Sequence, residues 1–550
     1  MCKGGRTAVW YSRAEATARR ACWISLLKWS WAFSAIPTVR LHALQARGVC
    51  RIASAYLQPT HAGESPVFKR ASVQGAILTL AKLCVLGCAL AAMEEDPDCA
   101  VMPCILLWLR LLGSSGKRGE GEVTDLVHRS KGALDVREHT MREHELVAAI
   151  EWLAEGDLEQ ACHAIERCLV YAPADPMLLK FQNDVCLFGG FSQRMRDATG
   201  RSLPAMDPAQ TPMFSYVLGM RAFSLEETGD TRSAISLAKV ALEQNQADAW
   251  ALHALAHALN EEGRGAEVLE LLRRTEPHWS KSNLKCHMGW HWGLCYIEMG
   301  QMQKAMIHYD QRLAPNLTVF GVFSLIDCTQ FLLRIEMLKG SEESPEGWDV
   351  AGIAARWEPV SSYAFQFISH HRHAFNDAHI GIAVVASRDD HMQGQALQEC
   401  ESLLKNGSNS AAGITARAVG SVVCLPLMRA NIAWRTGNAQ KCVEQLLAVR
   451  YHIQRIGGSV AQRDLWNLLL IRASLDCAAG QVSGELGGDS YFATLAEQLC
   501  NERLFATPPH CGTKGGSCAE NSGVEGGSML YRRLLAEARS HVSKRRVSKP

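Results

Sequence analysis

The chain lacks the motifs that most directly identify an enzyme or a secreted protein. Its 550 residues include 20 cysteines, yet no two are spaced as Cys-x-x-Cys. Scattered cysteines in a large chain are typical of reduced thiols buried as small apolar residues, and they argue against a disulfide framework. A glycine-rich phosphate loop and a nucleophile elbow are missing as well.

The chain also has little net charge and few long apolar runs. A formal charge of +1 gives no general attraction to nucleic acid, because a polyanion partner needs a concentrated basic face. Lys28 and Lys82 interrupt the two most apolar stretches, so neither reaches the roughly 18 clean apolar residues of a membrane span. Sustained period-two alternation is absent, which disfavours strands. We therefore expect an all-α protein with no nucleic-acid partner and no membrane span.

The first 70 residues differ in composition from the rest. They carry eleven Lys and Arg residues against only Glu15 and Glu64. An acid-poor amino end resembles an organelle transit peptide, and a poorly ordered extension explains the same composition. We expect a peripheral extension and a cytoplasmic protein, with a mitochondrial location as the alternative.

What the chain does contain is a series of glycines, each ending a helical run. Successive glycines are 34, 39, 34 and 37 residues apart: Gly156, Gly190, Gly229, Gly263 and Gly300. A period near 34 with two helices per unit is typical of tetratricopeptide repeats, whose helix pairs bury their apolar faces on one another. The sequence therefore predicts a tetratricopeptide-like solenoid of antiparallel helix pairs, with Ala161, Ala234 and Ala305 buried where helices touch.

Composition and the spacing of the helical repeats divide the chain into five predicted regions. They are a basic extension (1–70), a helical cap and loop (71–135), the tetratricopeptide repeats (136–315), degenerate helical repeats (316–480), and a linker, short helix and basic tail (481–550). In the fourth region we predict helices at 320–339, 375–386, 392–405, 411–436, 438–455 and 460–479.

Histidine and tryptophan cluster in the fourth and fifth repeats. His253 and His257 are four residues apart, so both lie on one helical face, and His287 follows His253 by 34 residues. Counted from the turn glycine, the positions that line the concave groove of a tetratricopeptide domain are occupied by Trp250, His253, His257, Asn260, His287 and Trp290. His291 is ambiguous by this count, and Trp292 faces its own helix pair.

Three interpretations of this cluster stay open. The side chains can line a groove without a ligand of their own, or bind a peptide or small ligand through rings that combine apolar area with polar tips. They can also hold a divalent transition metal through His253, His257 and His287, since imidazoles at i and i+4 chelate such ions. The cluster lacks the glutamate of an HExxH zinc hydrolase, so it is a weak catalytic motif.

Two further motifs carry candidate residues. The first is His370-His371-Arg372-His373-Ala374-Phe375-Asn376-Asp377-Ala378-His379. Asn376 and Asp377 fit a helix N-cap, and Asp377 with His379 is a candidate acid-base pair. In the second, Gly457 and Gly458 precede Ser459-Val460-Ala461-Gln462-Arg463-Asp464, which predicts a helix stop followed by a capped helix, or an anion site at the helix start.

Several of these segments together resemble the tetratricopeptide repeat protein 38 family. The matching segments, in one order from about residue 75 to 480, are Asp248-Ala249-Trp250 with His253, Ala256 and His257; Cys286-His287 with Trp290-His291-Trp292; Asp327-Cys328; Phe375 to His379; and Gly457-Gly458-Ser459 with Ala461 to Asp464. The resemblance implies a helical-repeat protein with no established activity, and it adds Asp327 to the candidate ligand-binding residues.

The sequence thus predicts a binding scaffold that presents a groove lined by His and Trp to a protein, peptide or small ligand, without a cofactor. The alternative is a metal-assisted, hydrolase-like enzyme that uses a divalent transition metal on His253, His257 and His287, with Asp377 and His379. Convergence of the histidines within metal-ligand reach, and closure of the solenoid over them, are the features that separate the two.

Overall fold

A computed structural model describes seven segments of the chain. They are residues 93–112, 121–338, 350–387, 389–405, 412–480, 489–505 and 528–548. Regular structure in these segments is entirely helical, which confirms the all-α prediction. The predicted extension (1–70), the start of the cap (71–92) and most of the predicted linker (507–527) lie outside the described residues, and the five-region division stays a prediction.

The helices are numbered here in chain order. Two precede the repeats: α1 (Val101–Leu111) and α2 (Gly121–Val136). Eleven span the repeats: α3 (Met141–Glu155), α4 (Leu158–Tyr171), α5 (Pro176–Gly189), α6 (Ser192–Ser202), α7 (Phe214–Glu226), α8 (Thr231–Gln244), α9 (Ala249–Glu261), α10 (Gly265–Arg274), α11 (Glu276–Trp279), α12 (Lys285–Glu298) and α13 (Met302–His308). Ten follow: α14 (Val322–Met337), α15 (Val350–Phe365), α16 (Ala374–Val385), α17 (Asp390–Lys405), α18 (Ile414–Val419), α19 (Leu425–Arg435), α20 (Ala439–Val449), α21 (Val460–Ala478), α22 (Asp489–Phe505) and α23 (Met529–Ser548).

Consecutive helices of the repeat region form pairs around the predicted glycines. All five glycines have φ between +71° and +87°, the left-handed region that ends a helix at low cost only for glycine. Each lies between the two helices of a pair, which confirms the repeat prediction. The alanines five residues after three of these turns, Ala161, Ala234 and Ala305, are completely buried, as predicted.

Short polar side chains fix where the repeat helices begin. Thr140 and Glu143 form a reciprocal capping box at the start of α3. Aspartates cap later helices by accepting from backbone N–H groups two or three residues ahead, as Asp157, Asp230 and Asp248 do. The caps and the glycine turns together account for the strict alternation of helix and turn.

Beyond the repeats, helical structure is present at all six predicted positions, and four of these helices end within two residues of their predicted ends. The predicted helix at 411–436 is α18 and α19 joined by a π-helical segment, Gly420–Cys424. The predicted helix at 438–455 is α20 followed by a 3-10 helix, Arg450–Ile456. Two helices were not predicted. Pro359 lies inside α15 and reads as a helix breaker, although Ile353, Trp357 and Val360 are buried at helical spacing. In α22 the buried positions include small residues such as Ala493 and Ala496, which give a weak apolar pattern.

The predicted short helix and basic tail form one helix. Lys544, Arg545 and Arg546 belong to α23, which continues to Ser548. Residues 481–550 therefore contain two long helices, α22 and α23, that pack against each other and against α21.

Later helices close the repeat array on itself. The turn at Gly156 contacts Gly413, and Thr415 N donates to the Gly156 carbonyl at 3.0 Å. The turn at Gly190 lies against Gln454 in the same way. A Cβ atom at Gly156 or Gly190 would come within 2.4 Å or 2.1 Å of that backbone. These contacts join residues more than 200 positions apart, so the first repeats pack against the carboxy-terminal half.

A partly buried ionic network, here called the Arg503 network, continues this closure over the fourth repeat. The Arg503 guanidinium donates to Glu261 at 2.8 Å and to Asp464 at 3.0 Å, and the Tyr531 hydroxyl donates to Asp464 at 2.9 Å. Glu261 ends α9, Asp464 lies in α21, and the other two residues lie in α22 and α23. The carboxy-terminal helices thus cover the face of the repeats that carries the histidines.

Within the described residues, no helix combines the length and the apolar character that crossing a membrane requires.

Candidate functional site

Two neighbouring repeat helices bring four histidines together. The histidine cluster consists of His253 and His257 from α9 and His287 and His291 from α12. His253 Nε2 lies 3.0 Å from His257 Nε2 and 3.0 Å from His287 Nε2. One ring nitrogen from each of the four residues lies within 4.8 Å of the others. The i, i+4 spacing on each helix and the one-repeat offset between helices produce this convergence.

The histidine cluster is enclosed. His257 and His291 are completely buried and His253 is 4% exposed, while His287 keeps 17% of its side chain exposed. Trp290 stacks on His287 with ring centroids 5.1 Å apart. The expectation of an open groove lined by these rings is therefore wrong, because helices from the carboxy-terminal half pack over the repeats.

Burial keeps three of these imidazoles, those of His253, His257 and His291, in the neutral form. It lowers the pKa of His257 to about 4, and it lowers the pKa of His253 and of His291 well below the ordinary value. The neighbouring imidazoles act in the same direction on His253 and His291, since two imidazolium ions at this distance would repel. Neutral imidazole is the form that offers a nitrogen lone pair to a ligand.

Asp327 orients one of the four rings. Its carboxylate, on α14, accepts a hydrogen bond from His287 Nδ1 at 2.8 Å and is almost completely buried. A proton held on Nδ1 leaves Nε2 of the same ring with a lone pair, and that lone pair points at His253. Asp327, added by the resemblance alone, therefore contacts the cluster directly.

A pair of carboxyl groups that was not predicted from the sequence lies behind the cluster. Glu226 ends α7 and Glu227 follows it directly, and both side chains are fully buried. Glu226 Oε2 lies 3.6 Å from His257 Nδ1. Burial, reinforced by Glu226, raises the pKa of Glu227 to about 7, and burial raises the pKa of Glu226 well above its ordinary value. The only sequence signal was two adjacent carboxyls just before a repeat turn, which is ordinarily a solvated position.

Trp250 and Asn260 lie at the edge of the cluster. Trp250 is half-buried, with its ring centroid 5.9 Å from that of His253. The Lys180 ammonium lies 4.7 Å from the centroid of a Trp250 ring. Asn260 faces Cys295, whose sulfur lies 3.9 Å from its Oδ1. Trp250 therefore contacts the cluster through His253, whereas Asn260 contacts the Cys295 thiol.

The predicted acid-base pair of Asp377 and His379 does not form. Residues two apart on a helix point to different faces, and the two side chains have different partners. Asp377 Oδ2 lies 3.4 Å from His371 Nδ1. His379 Nδ1 donates to the Phe375 carbonyl, and its Nε2 accepts from Gln330, both at 2.7 Å.

The predicted N-cap at this helix is also wrong. His373 precedes α16, so Asn376 and Asp377 lie inside its first turn, where both are buried. His373 Nε2 instead lies 3.0 Å from the Leu111 carbonyl, a contact that ties this segment to α1.

The helix start at residue 459 is capped as predicted. Ser459 and Gln462 form a capping box at α21. The backbone amide of Val460 donates to Glu227 Oε1 at 2.8 Å, so a carboxylate of the same chain occupies the predicted anion position. Arg463 donates to Glu227 Oε2 at 3.3 Å, which links α21 to the carboxyl pair behind the histidine cluster.

No protein-family model matches the chain. In a crystal structure, the TPR domain of P58(IPK) is similar at 14% identity and a TM-score of 0.17, over 70% of this chain and 100% of that chain. The helix pairs and glycine turns of the chain itself establish its helical-repeat fold.

Proposed function

We propose that this protein is a helical-repeat binding protein whose ligand site is the histidine cluster, and that the ligand is an ion or a small polar molecule. The observation that carries the proposal is a group of buried imidazoles with unused nitrogens. Neither ring nitrogen of His291, nor Nδ1 of His253, has a hydrogen-bond partner among the described residues. Each such buried group costs roughly 1 to 3 kcal/mol unless a ligand satisfies it.

The enclosure of the cluster supports a small ligand over a peptide. A peptide in a groove needs a continuous accessible surface, and here three of the four cluster histidines are buried while His287 keeps 17% of its side chain exposed. A small ligand requires only transient opening of the helices that cover the cluster.

Native mass spectrometry of the full chain, purified without a polyhistidine tag, tests this proposal. We expect a bound species in addition to the 60.4 kDa chain, lost in the double variant His253→Ala, His287→Ala. His308→Ala is the matched control, because His308 is a buried histidine of the next helix whose Nε2 lies 2.7 Å from the Gly289 carbonyl. A bare chain whose melting temperature responds to no metal ion or small polar ligand would contradict the proposal.

A protein or peptide partner is the second candidate, and the repeat fold is the observation that favours it. Stacked helix pairs form extended surfaces that commonly bind other chains. Such a partner would contact faces other than the enclosed cluster, so its recovery should not change in the double variant. The specific relationship to the tetratricopeptide repeat protein 38 family is likewise a proposal, which rests on the motif order given above.

A further inference from the structure

We propose that the ligand of the histidine cluster is a divalent transition-metal ion of the zinc class, bound by His253, His257, His287 and His291. This inference rests on the proposed function, since it names the ligand class of the same site. It adds His291 to the three histidines expected from sequence, and it assigns Asp327 and Glu226 as positioning residues.

The spacing of the ring nitrogens fits such an ion. Zinc-to-imidazole bonds are about 2.0 to 2.1 Å, which places neighbouring nitrogens of a tetrahedral site about 3.3 Å apart. The two Nε2 to Nε2 distances at His253 are 3.0 Å. All four nitrogens lie within 4.8 Å of one another, so His291 completes the shell after a small side-chain movement.

Proton counting favours a cation over hydrogen bonds among the rings. His253 Nε2 carries either one hydrogen or one lone pair, in a single direction in the ring plane. It therefore forms at most one good hydrogen bond, although two ring nitrogens lie 3.0 Å away. His287 Nε2 presents a lone pair because its Nδ1 donates to Asp327. A metal ion accepts all of these lone pairs at once.

Carboxyl groups lie next to the Nδ1 atoms of two of the imidazole rings, as they do in many metal sites. Asp327 accepts from His287 Nδ1 at 2.8 Å, and Glu226 lies 3.6 Å from His257 Nδ1. Such outer carboxylates fix the tautomer and make the imidazole a stronger ligand. Shortening the Glu226 contact from 3.6 Å to 2.8 Å would give His257 the same arrangement that His287 has.

The surrounding charges favour a bound cation. The region around the cluster holds five carboxyl groups and three guanidinium groups: Glu226, Glu227, Glu261, Asp327 and Asp464 with Arg334, Arg463 and Arg503. Arg463 pairs with Glu227, Arg503 with Glu261 and Asp464, and Arg334 is attracted to Asp464. Within the described part of the chain, Glu226 and Asp327 have a histidine, and no guanidinium, within ion-pair distance. A divalent cation on these histidines would hold Glu226 ionised despite its burial and would balance the charges of Glu226 and Asp327.

A second ion on Glu226, Glu227 and His257 is not part of the proposal. Their ligand atoms also lie within 4.8 Å of one another. Glu227, however, already accepts from Val460 N and Arg463, and a further divalent ion would exceed the two uncompensated carboxylates. The two carboxyl groups are therefore assigned to positions behind the ligand histidines of one metal site.

Metal analysis of the full chain, purified without a polyhistidine tag, is the first test. We expect about one equivalent of a first-row transition metal per chain, removed by a chelator at mildly acidic pH. Adding Co²⁺ to the stripped chain should give the intense visible bands of tetrahedral Co²⁺, and Zn²⁺ should displace it. The weak bands of six-coordinate Co²⁺ would overturn the four-imidazole shell.

Variants of the proposed ligand and positioning residues test the role of each. His253→Ala with His287→Ala should abolish Co²⁺ binding, and His308→Ala should retain it. Asp327→Asn and Glu226→Gln should keep the fold and weaken Co²⁺ affinity roughly 10-fold to 100-fold, as loss of an outer carboxylate does. These two variants decide the question even if the double variant does not fold, and unchanged Co²⁺ affinity in both would overturn their assignment as positioning residues.

The outcomes separate this inference from the proposed function. A chain that holds no metal and takes up no Co²⁺, yet carries an organic species lost in the double variant, overturns the metal and leaves the enclosed ligand site standing. A chain that binds neither overturns both.

Discussion

Individual buried residues carry much of the specificity of this fold. Ala234 is completely buried at a contact between repeat helices, where a larger side chain has no room. We expect Ala234→Leu to lower the free energy of unfolding by roughly 1 to 3 kcal/mol through overpacking. Urea denaturation followed by circular dichroism measures this. Ser236→Leu, at an exposed position of the same helix, is the control, and equal stability of the two variants would contradict the prediction.

Asp248 links stability to pH. It caps α9, the helix that carries His253 and His257, and it accepts from the amides of Trp250 and Ala251 while fully buried. Burial raises the pKa of Asp248 to about 7 from 3.8. Because the folded pKa lies above the unfolded one, its ionisation lowers stability as pH rises from about 4 to about 7.

Asp248→Asn removes this ionisation and keeps a good capping residue. Between pH 5 and pH 8 the variant should gain about 2 to 3 kcal/mol relative to the natural chain, since each pKa unit corresponds to 1.36 kcal/mol. Urea titrations at the two pH values measure the gain. Asp230→Asn, at an exposed cap one repeat earlier, should show a smaller change. An equal gain in both variants would exclude burial as the cause.

At the scale of helices and turns, the repeat glycines fall into two groups. Gly156 and Gly229 both have positive φ, but only Gly156 touches another segment, with Gly413 Cα 2.4 Å from where a Cβ would lie. Gly156→Ala should therefore destabilise more than Gly229→Ala, by roughly 1 to 3 kcal/mol for the forced separation. Thermal unfolding of both variants tests this, because Gly229→Ala measures the backbone cost alone. Equal losses would show that the turn at Gly156 does not support the closure.

The sequence was informative about these local elements for a physical reason. Helix periodicity, glycine turns and aspartate caps are encoded within a few residues, so the pairs around Gly156 to Gly300 could be predicted. The helix α15 was not predicted because Pro359 lies inside it. The cost of a proline in a helix interior can be read from the local sequence, whereas the burial of Trp357 that outweighs this cost depends on distant parts of the chain.

The candidate site was predictable to the same extent. The i, i+4 spacing and the repeat offset identified His253, His257 and His287. Glu227 is held by contacts with α21, more than 200 residues later, and no local pattern reports those contacts. The burial of the histidines was missed for the same reason.

At the scale of the whole molecule, closure changes how the repeats should unfold. An open array can lose terminal repeats one at a time, because each repeat contacts only its neighbours. Here the Arg503 network and the contacts at Gly156 and Gly190 join distant parts. We expect one cooperative transition in urea, with coincident curves from circular dichroism and tryptophan fluorescence.

Arg503→Met tests the origin of this cooperativity. It removes the guanidinium between Glu261 and Asp464 and keeps a side chain of similar length. The variant should unfold at lower urea with separated circular dichroism and fluorescence curves. Coincident curves in the variant would assign the cooperativity to other contacts, and separated curves in the natural chain would contradict the closure argument.

The same closure delays the burial of the repeats while the chain is being synthesised. Glu261 meets Arg503 across 242 residues, and Gly190 meets Gln454 across 264. At roughly 5 to 20 residues per second, the fourth repeat leaves the ribosome about 12 to 50 seconds before the helix that covers it. Such high contact order slows folding, and the uncovered apolar helices stay exposed to aggregation for that interval. The nascent chain is therefore a natural client for chaperones until its last helices emerge.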